Sequence, residues 1–396
     1  MPEYSVNEWM RFVKTEPIDV EICDVTLRDG EQTPGVSFTK EEKMDIAQAL
    51  DEIGVEIIEA GFPITSPGEK ESVKAVAGMG LNAKISCLAR AVKGDIDAVL
   101  DCDGDMAGIF IGTSDLHLKY KHKKTQEEAI DCMVTAVEYA KKHGLIVRCA
   151  AEDSTRTSLD FLRQFYRAGE EAGADYVNIA DTVGIMTPST MRYLVSEVRK
   201  VVKVPVCVHC HDDLGLAVAN TMAAAEAGAK QLHTCVNGIG ERTGNAALEE
   251  VLMGLAIQYG VDRYDTKNVK SLSCMVQKYS GIPVAKNKAV VGDNAFAHES
   301  GIHIAALLEN DRTYELFSPE TVGGRREFIL GKHSGSKALC YMARQLGYAL
   351  TPAETDLVLA EIKRMGDNKQ SLRKGELAEL IANVLGKNGE KMPQQA

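Results

Sequence analysis

No stretch of this 396-residue chain stays apolar for the roughly 18 residues that a membrane-spanning helix needs. Its N-terminus, MPEYSVNEWMRFVKTEP, also lacks the apolar core of a signal peptide. Positive charge is in deficit: 45 Lys plus Arg face 57 Asp plus Glu, a formal net charge of −12. A surface of that sign argues against nucleic acid or an anionic membrane as a partner. It still allows an anionic small molecule held by a local cluster of Arg and His. The ten cysteines form no CxxC pair matched by a second one, which argues against a zinc ribbon, and several lie inside apolar runs where a thiol packs as a small core residue. Reduced cysteines and a cytoplasmic location are therefore expected. No GxGxxG follows the first apolar run, so an open dinucleotide-binding sheet is disfavoured.

What is present is an alternation of short apolar runs with helical patterns. The runs are VEICDVT (20–26), VEIIEAG (55–61), AKISCL (83–88), MAGIFIGT (106–113), LIVRCAAE (145–152), YVNIAD (176–181), VPVCVHC (204–210) and KQLHTCV (230–236). Most are continuously apolar, as strands buried on both faces of a parallel sheet are. Between them, KEEKMDIAQALDEIG (40–54) places Met44, Ile46, Ala47, Leu50 and Ile53 on one helical face, with Thr39 and Glu42 spaced as a capping box. TQEEAIDCMVTAVEYAKKHG (125–144) has the same form. Eight strands alternating with helices predict an α/β fold, a (β/α)8 TIM barrel, followed by a small, mainly helical C-terminal region. The expected divisions are an N-terminal extension (1–19), a catalytic barrel (20–260), helical subdomains that contribute to the active site and a dimer (261–386), and a polar tail (387–396).

A barrel of this kind carries its chemistry at the C-terminal ends of its strands. Those ends hold Arg28 and Asp29 (TLRDGEQ), Glu152 and Asp153 (AED), Asp181 and Thr182 (ADT), His209 and His211 (HCHDD), and Asn237 in the glycine-rich VNGIGERTGN. Residues i and i+2 of a strand point the same way, so the two imidazoles of His209-Cys210-His211 can reach one ion, with Asp29 as the candidate third ligand. The bland reading of HxH is a pair of packed core histidines. Asp212 and Asp213 read equally as partners that fix a histidine tautomer or as solvated loop carboxylates. Arg28 reads as a surface ion-pair partner of Asp29 or as a cation that polarises a carbonyl oxygen.

At these residues the chain resembles a known family. DVTLRDGEQTPG, HCHDDLGLAVAN, VNGIGERTGNAALEE and HESGIH, in that order, are similar to the DRE-type TIM-barrel metallolyases, in the branch of Claisen-condensing acyltransferases that includes the homocitrate, isopropylmalate, citramalate and Re-citrate synthases. The resemblance spans about residues 20–340. It implies a divalent metal (Zn, Mn or Mg) on Asp29, His209 and His211, with Asn237 near it. It further implies that Arg28 contacts the 2-oxo group, that Glu152 positions substrate or water, and that Thr182 belongs to the substrate site. Acetyl-CoA would be deprotonated by His298, with Glu299 beside it and Tyr314 completing that part. Homodimers, with the post-barrel segment reaching over a neighbour's active site, and a role in amino-acid biosynthesis are implied as well. One departure is Asp212, where the family usually has Asn, which puts the role of that position in doubt.

The 2-oxo acid is read from two positions. Ala180 in NIADTVG stands where isopropylmalate synthases resemble one another in carrying Pro. Arg148 stands where homocitrate synthases of the lysine pathway carry an Arg for the distal carboxylate of 2-oxoglutarate. Strand parity sets Arg148, Ala150 and Glu152 on one face, and a buried Arg needs an anionic partner, which a dicarboxylate or a protein carboxylate such as Glu152 can supply. Condensation of acetyl-CoA with 2-oxoglutarate to homocitrate and CoA is the expectation. The alternatives are 2-oxoisovalerate (isopropylmalate), pyruvate (citramalate) and oxaloacetate (Re-citrate). An acyl-CoA lyase is disfavoured, because GIGERTGNA lacks the cysteine of the lyase loop. A chain ending at 396, without a further regulatory domain, suits the homocitrate type.

Overall fold

Apolar runs with little polar alternation become strands that water reaches from neither side. The structure, a computed structural model, describes Trp9, Phe12 and residues 18–386. The polar tail 387–396 and most of the expected N-terminal extension lie outside the described residues. Strands β1 (Glu21–Asp24), β2 (Ile57–Gly61), β3 (Lys84–Arg90), β4 (Met106–Gly112), β5 (Ile146–Glu152), β6 (Tyr176–Asp181), β7 (Val206–Cys210) and β8 (Gln231–Thr234) form a closed barrel in sequence order. All pairings are parallel, and β8 closes on β1 in the register Glu21↔Gln231 to Asp24↔Thr234.

The wrapping helices are α1 (Lys40–Ile53), α2 (Pro67–Ala77), α3 (Lys93–Asp101), α4 (Gln126–Lys142), α5 (Leu159–Glu171), α6 (Pro188–Arg199), α7 (Ala217–Glu226) and α8 (Leu248–Tyr259). Helix α1 begins at the expected capping box: Thr39 Oγ1 accepts the Glu42 N–H at 3.2 Å and Glu42 Oε2 accepts the Thr39 N–H at 2.8 Å. Its buried face carries Lys43, whose Nζ donates to the carbonyls of Leu27 at 3.1 Å and Ala60 at 3.3 Å and meets Glu69 at 2.6 Å and Glu31 at 2.7 Å. One buried cation thereby ties α1 to the loops that leave β1 and β2, where the first site residues sit.

The chain divides into two compact units between Val284 and Ala285. The boundary expected at 260, where the sequence pattern changes, falls short of this one. Helix α9 (Val269–Ser280) belongs to the barrel unit, burying Val269, Leu272, Ser273 and Val276. The second unit carries a two-stranded parallel ladder, β9 (Ala297–His298) with β10 (Glu327–Phe328), and the helices α10 (Gly301–Leu307), α11 (Ser336–Gln345), α12 (Pro352–Asp367) and α13 (Lys374–Leu385). Its own core gathers Ile304, Leu330, Leu339, Val358, Ile362, Leu377 and Ile381. All ten cysteines are free thiols. Among the described residues, no helix is long and apolar enough to cross a membrane.

Candidate metal centre and active site

His209 is the fourth residue of β7, and His211 follows the strand's last residue, so both rings turn into the barrel mouth. Their Nε2 atoms lie 3.2 Å apart. Asp29 arrives from the turn after β1, where the N–H groups of Arg28, Asp29 and Gly30 all donate to the Val25 carbonyl. Its Oδ2 is 3.6 Å from His209 Nε2, and one ligand atom from each of Asp29, His209 and His211 lies within 4.8 Å of the others. Burial pushes the His209 imidazole down to about 3, with Asp29 opposing the shift, and lowers His211 for the same reasons. Burial works against the Asp29 carboxylate, yet Arg28 beside it and the hydrogen bond from Asn245 hold it below the usual range. Two neutral imidazoles and one ionised carboxylate are the protonation states a divalent cation requires. The donor set is therefore fit for the metal that the family resemblance implies.

The aspartate is braced from behind. Asn245 Nδ2 donates to Asp29 Oδ1 at 2.9 Å, and Asn245 also forms an isolated bridge with His211. Gly240 permits this approach: at its φ of +154°, a Cβ would lie 2.2 Å from Asn245 Nδ2 and 2.9 Å from Asp29 Oδ1. Asn237, expected beside the metal, is corrected here. Its backbone is left-handed (φ 61°), and its side chain donates to the Ser273 carbonyl at 2.9 Å and accepts from Ser273 Oγ at 2.5 Å. It ties the strand-8 loop to α9, and Asn245 is the asparagine at the acidic ligand.

Arg148 is 2% exposed and shares a face with Ala150 and Glu152, as strand parity requires. Its anionic partner is Glu59 on β2 rather than Glu152, so burial of this guanidinium needs no substrate carboxylate. Arg148 Nη1 also donates to Gln231 Oε1 at 3.0 Å. Glu59 accepts from Arg28 Nε through its other oxygen at 2.5 Å, and Arg28 Nη1 meets Asp29. Full burial would raise the Glu59 carboxyl, but the two guanidinium groups beside it hold it below its ordinary value. Sequence reasoning passed over Glu59. The only signal was a lone carboxylate at an inward position of an otherwise apolar strand.

Glu152 faces Lys121, whose Nζ lies 2.7 and 2.6 Å from its two oxygens, and His117 Nδ1 stands 3.5 Å away. Both neighbours come from the π-helical turn His117–His122 after β4, also unforeseen. Thr182 Oγ1 accepts the Asp153 N–H at 2.8 Å. Of the two aspartates after HxH, Asp212 accepts the Ala217 N–H at the start of α7 at 2.8 Å. Asp213 holds Arg242 through two contacts of 2.8 Å. The barrel thus brings Arg28, Asp29, Arg148, Glu152, Thr182, His209 and His211 to the wall of one cavity of about 330 Å³, where Asn178 and His233 join them.

In the second unit, His298 on β9 has its Nε2 3.5 Å from Glu315 Oε1, and Arg326 Nε donates to that same oxygen at 2.6 Å. Burial lowers the His298 imidazole, with Glu315 acting against the shift. Tyr314, expected with His298, stacks on His303 at 3.9 Å and 24° and is 46% exposed.

Fold and site together define a barrel with a two-histidine, one-carboxylate metal centre at the C-terminal ends of its strands. The HMGL-like family profile matches residues 19–276, and the profile described as homocitrate synthase post-HMGL domain-like matches residues 290–370. The chain belongs to the HMGL-like family, in the branch that carries the post-HMGL domain of the homocitrate synthases. It is 56% identical to the homocitrate synthase AksA of Methanosarcina acetivorans over 96% of this chain and 95% of that one. It is 50% identical to the 2-isopropylmalate synthase of Methanocaldococcus jannaschii over 95% of this chain and 73% of that one. Among solved structures, the HMG-CoA lyase of Bacillus subtilis superposes with a TM-score of 0.63 at 20% identity, covering 68% of this chain and 97% of the lyase, a likeness of fold.

Proposed function

We propose that this chain is an acyltransferase that condenses acetyl-CoA with 2-oxoglutarate to give homocitrate and CoA. The observation that carries the reading is the metal-binding set Asp29, His209 and His211 at the wall of a cavity that Arg28 and Arg148 also line. At the cavity floor these two cations are matched by two carboxylates, Asp29 and Glu59. The charge left for a substrate to balance is then that of the cation, and a dicarboxylate balances a divalent ion where a monocarboxylate does not. A divalent ion on Asp29, His209 and His211 would supply Lewis-acid polarisation of the 2-oxo group.

The chain's own residues do the rest. Arg28 donates to the 2-oxo oxygen, where negative charge develops as the new carbon–carbon bond forms. Arg148 faces the distal carboxylate, and Glu152 and Thr182 orient substrate and water. His298, kept neutral by its burial, takes the proton from the acetyl methyl, and Glu315 balances the imidazolium that results. Tyr314 belongs to the acetyl-CoA side. Water then attacks the thioester carbonyl and the CoA thiol leaves.

A second reading has one observation in its favour. Phe62, Leu88 and Phe110 form an apolar part of the cavity wall that suits the branched side chain of 2-oxoisovalerate. Mass analysis of the product formed from equal amounts of both 2-oxo acids separates the readings. Homocitrate as the main product supports the first, and isopropylmalate replaces it with the second. A homodimer and a cytoplasmic location complete the proposal. They rest on the family resemblance, and light scattering of the purified chain at twice its 43.0 kDa mass would support the dimer.

A further inference from the structure

We propose that Glu59 is a positioning residue: its carboxylate clamps the guanidinium groups of Arg28 and Arg148 at a fixed separation, setting the group that acts on the 2-oxo oxygen relative to the group that faces the far end of the substrate. This rests on the function proposed above and deepens it.

Three observations carry it. Glu59 is fully buried at an inward position of β2, and each of its oxygens takes a different guanidinium, Arg28 Nε at 2.5 Å and Arg148 Nη2. The chain continues on both sides, from Arg28 to Asp29 and from Arg148 to Gln231 Oε1 at 3.0 Å, so one carboxylate links the acidic metal ligand to the floor of the cavity. The neighbouring strand leaves room for the clamp: at Gly108 a Cβ would stand 2.7 Å from Arg148 Nη2 and 3.2 Å from Glu59 Oε1. Stability does not account for such an arrangement, because a buried ion cluster is often no better than well-packed apolar residues of the same volume. What it provides is geometry. With Glu59 at one nitrogen of each guanidinium and Asp29 or Gln231 at another, both forks are held at two points, whereas an arginine held at one point swings.

The clamp also competes with substrate. Glu59 occupies donors that an incoming carboxylate or oxyanion would use, so loss of its charge should free them while loosening their placement. Glu59→Gln is therefore expected to lower kcat by about 100-fold, the scale for loss of an aimed charge-stabilising group. The KM for 2-oxoglutarate should stay level or fall, and that for acetyl-CoA should stay unchanged. Gly108→Ala keeps every charge and presses on the contact itself, on Arg148 Nη2 most closely and on Glu59 Oε1 beside it. It should lower kcat in the same direction, and it carries the test if Glu59→Gln does not fold.

The experiment is steady-state kinetics of the metal-loaded wild type and both variants, with crystal structures of the variants. A kcat that falls without a rise in KM, with displaced guanidinium groups, upholds the clamp. A kcat within twofold of wild type, or a rise in KM at constant kcat, overturns it. If the wild type itself releases no thiol with 2-oxoglutarate, the proposed function has failed. The clamp is then judged on the structures, where unmoved guanidinium groups overturn it and displaced ones uphold it.

Discussion

The Nε2 atoms of His209 and His211 lie 3.2 Å apart, each ring kept neutral by its burial. Two lone pairs brought this close, with an ionised Asp29 beside them, are arranged to share one cation. Titration of chelator-treated protein with zinc, manganese or magnesium is expected to show one tight site per chain. His209→Ala or His211→Ala should weaken it by at least about 100-fold, the upper end of what loss of an outer-shell partner costs.

The two asparagines of the strand-8 loop should separate cleanly. Asn245→Ala removes the donor to Asp29 and to the Ile239 carbonyl, and should weaken metal binding about 10- to 100-fold. Asn237→Ala cuts two bonds to Ser273 and should cost about 1–3 kcal/mol of stability while leaving metal affinity as it was. Calorimetric metal titration and denaturant melts of both variants check this, and equal metal affinities in the two would contradict it.

That contrast marks where the sequence stops being readable. The eight strands were legible because apolar runs bounded by helical patterns are local signals. Asp29, His209 and His211 were legible because strand ends and i, i+2 parity fix directions without knowledge of the partner. Asn237 and Asn245 bracket one glycine-rich loop, and which of them turns to the ligand depends on a left-handed backbone at Asn237 and on the close passage at Gly240. Glu59 was missed for a related reason. Parity points it inward, but nothing in VEIIEAG says that two arginines, 31 positions before it and 89 after it, will meet it there. Lys121 sits on a π-helical turn, a geometry without a sequence signature in this reading.

Arg148 has a structural role and a proposed substrate role, and the two respond differently. Arg148→Ala leaves Glu59 buried with one cation instead of two, which should lower stability by about 2–4 kcal/mol. It should also raise the KM for 2-oxoglutarate by more than that for acetyl-CoA. Denaturant melts and kinetics with each substrate varied in turn check both parts. Equal changes in the two KM values would count against Arg148 as a contact of the 2-oxo acid.

Asp24 predicts a pH effect on folding that is independent of the metal centre. Desolvation raises its carboxyl from 3.8 to about 7, against the hydrogen bonds from Thr26 and Thr234 that stabilise the charged form. Between those values the folded chain holds a proton that the unfolded chain has lost, so this residue's contribution to stability falls as pH rises from about 4 to about 7. Asp24→Asn should track the wild type at about pH 4, draw ahead by about 4 kcal/mol by about pH 7 and hold that lead at higher pH, read as a divergence of melting curves across that range. Parallel curves at all pH values would contradict the assignment.

The most direct test of the central claim is thiol release from acetyl-CoA, with and without chelator, against 2-oxoglutarate, oxaloacetate, 2-oxoisovalerate and pyruvate. The account predicts release with 2-oxoglutarate that chelator abolishes and added divalent metal restores. Release that favours a monocarboxylate, or that survives complete removal of metal, would contradict it.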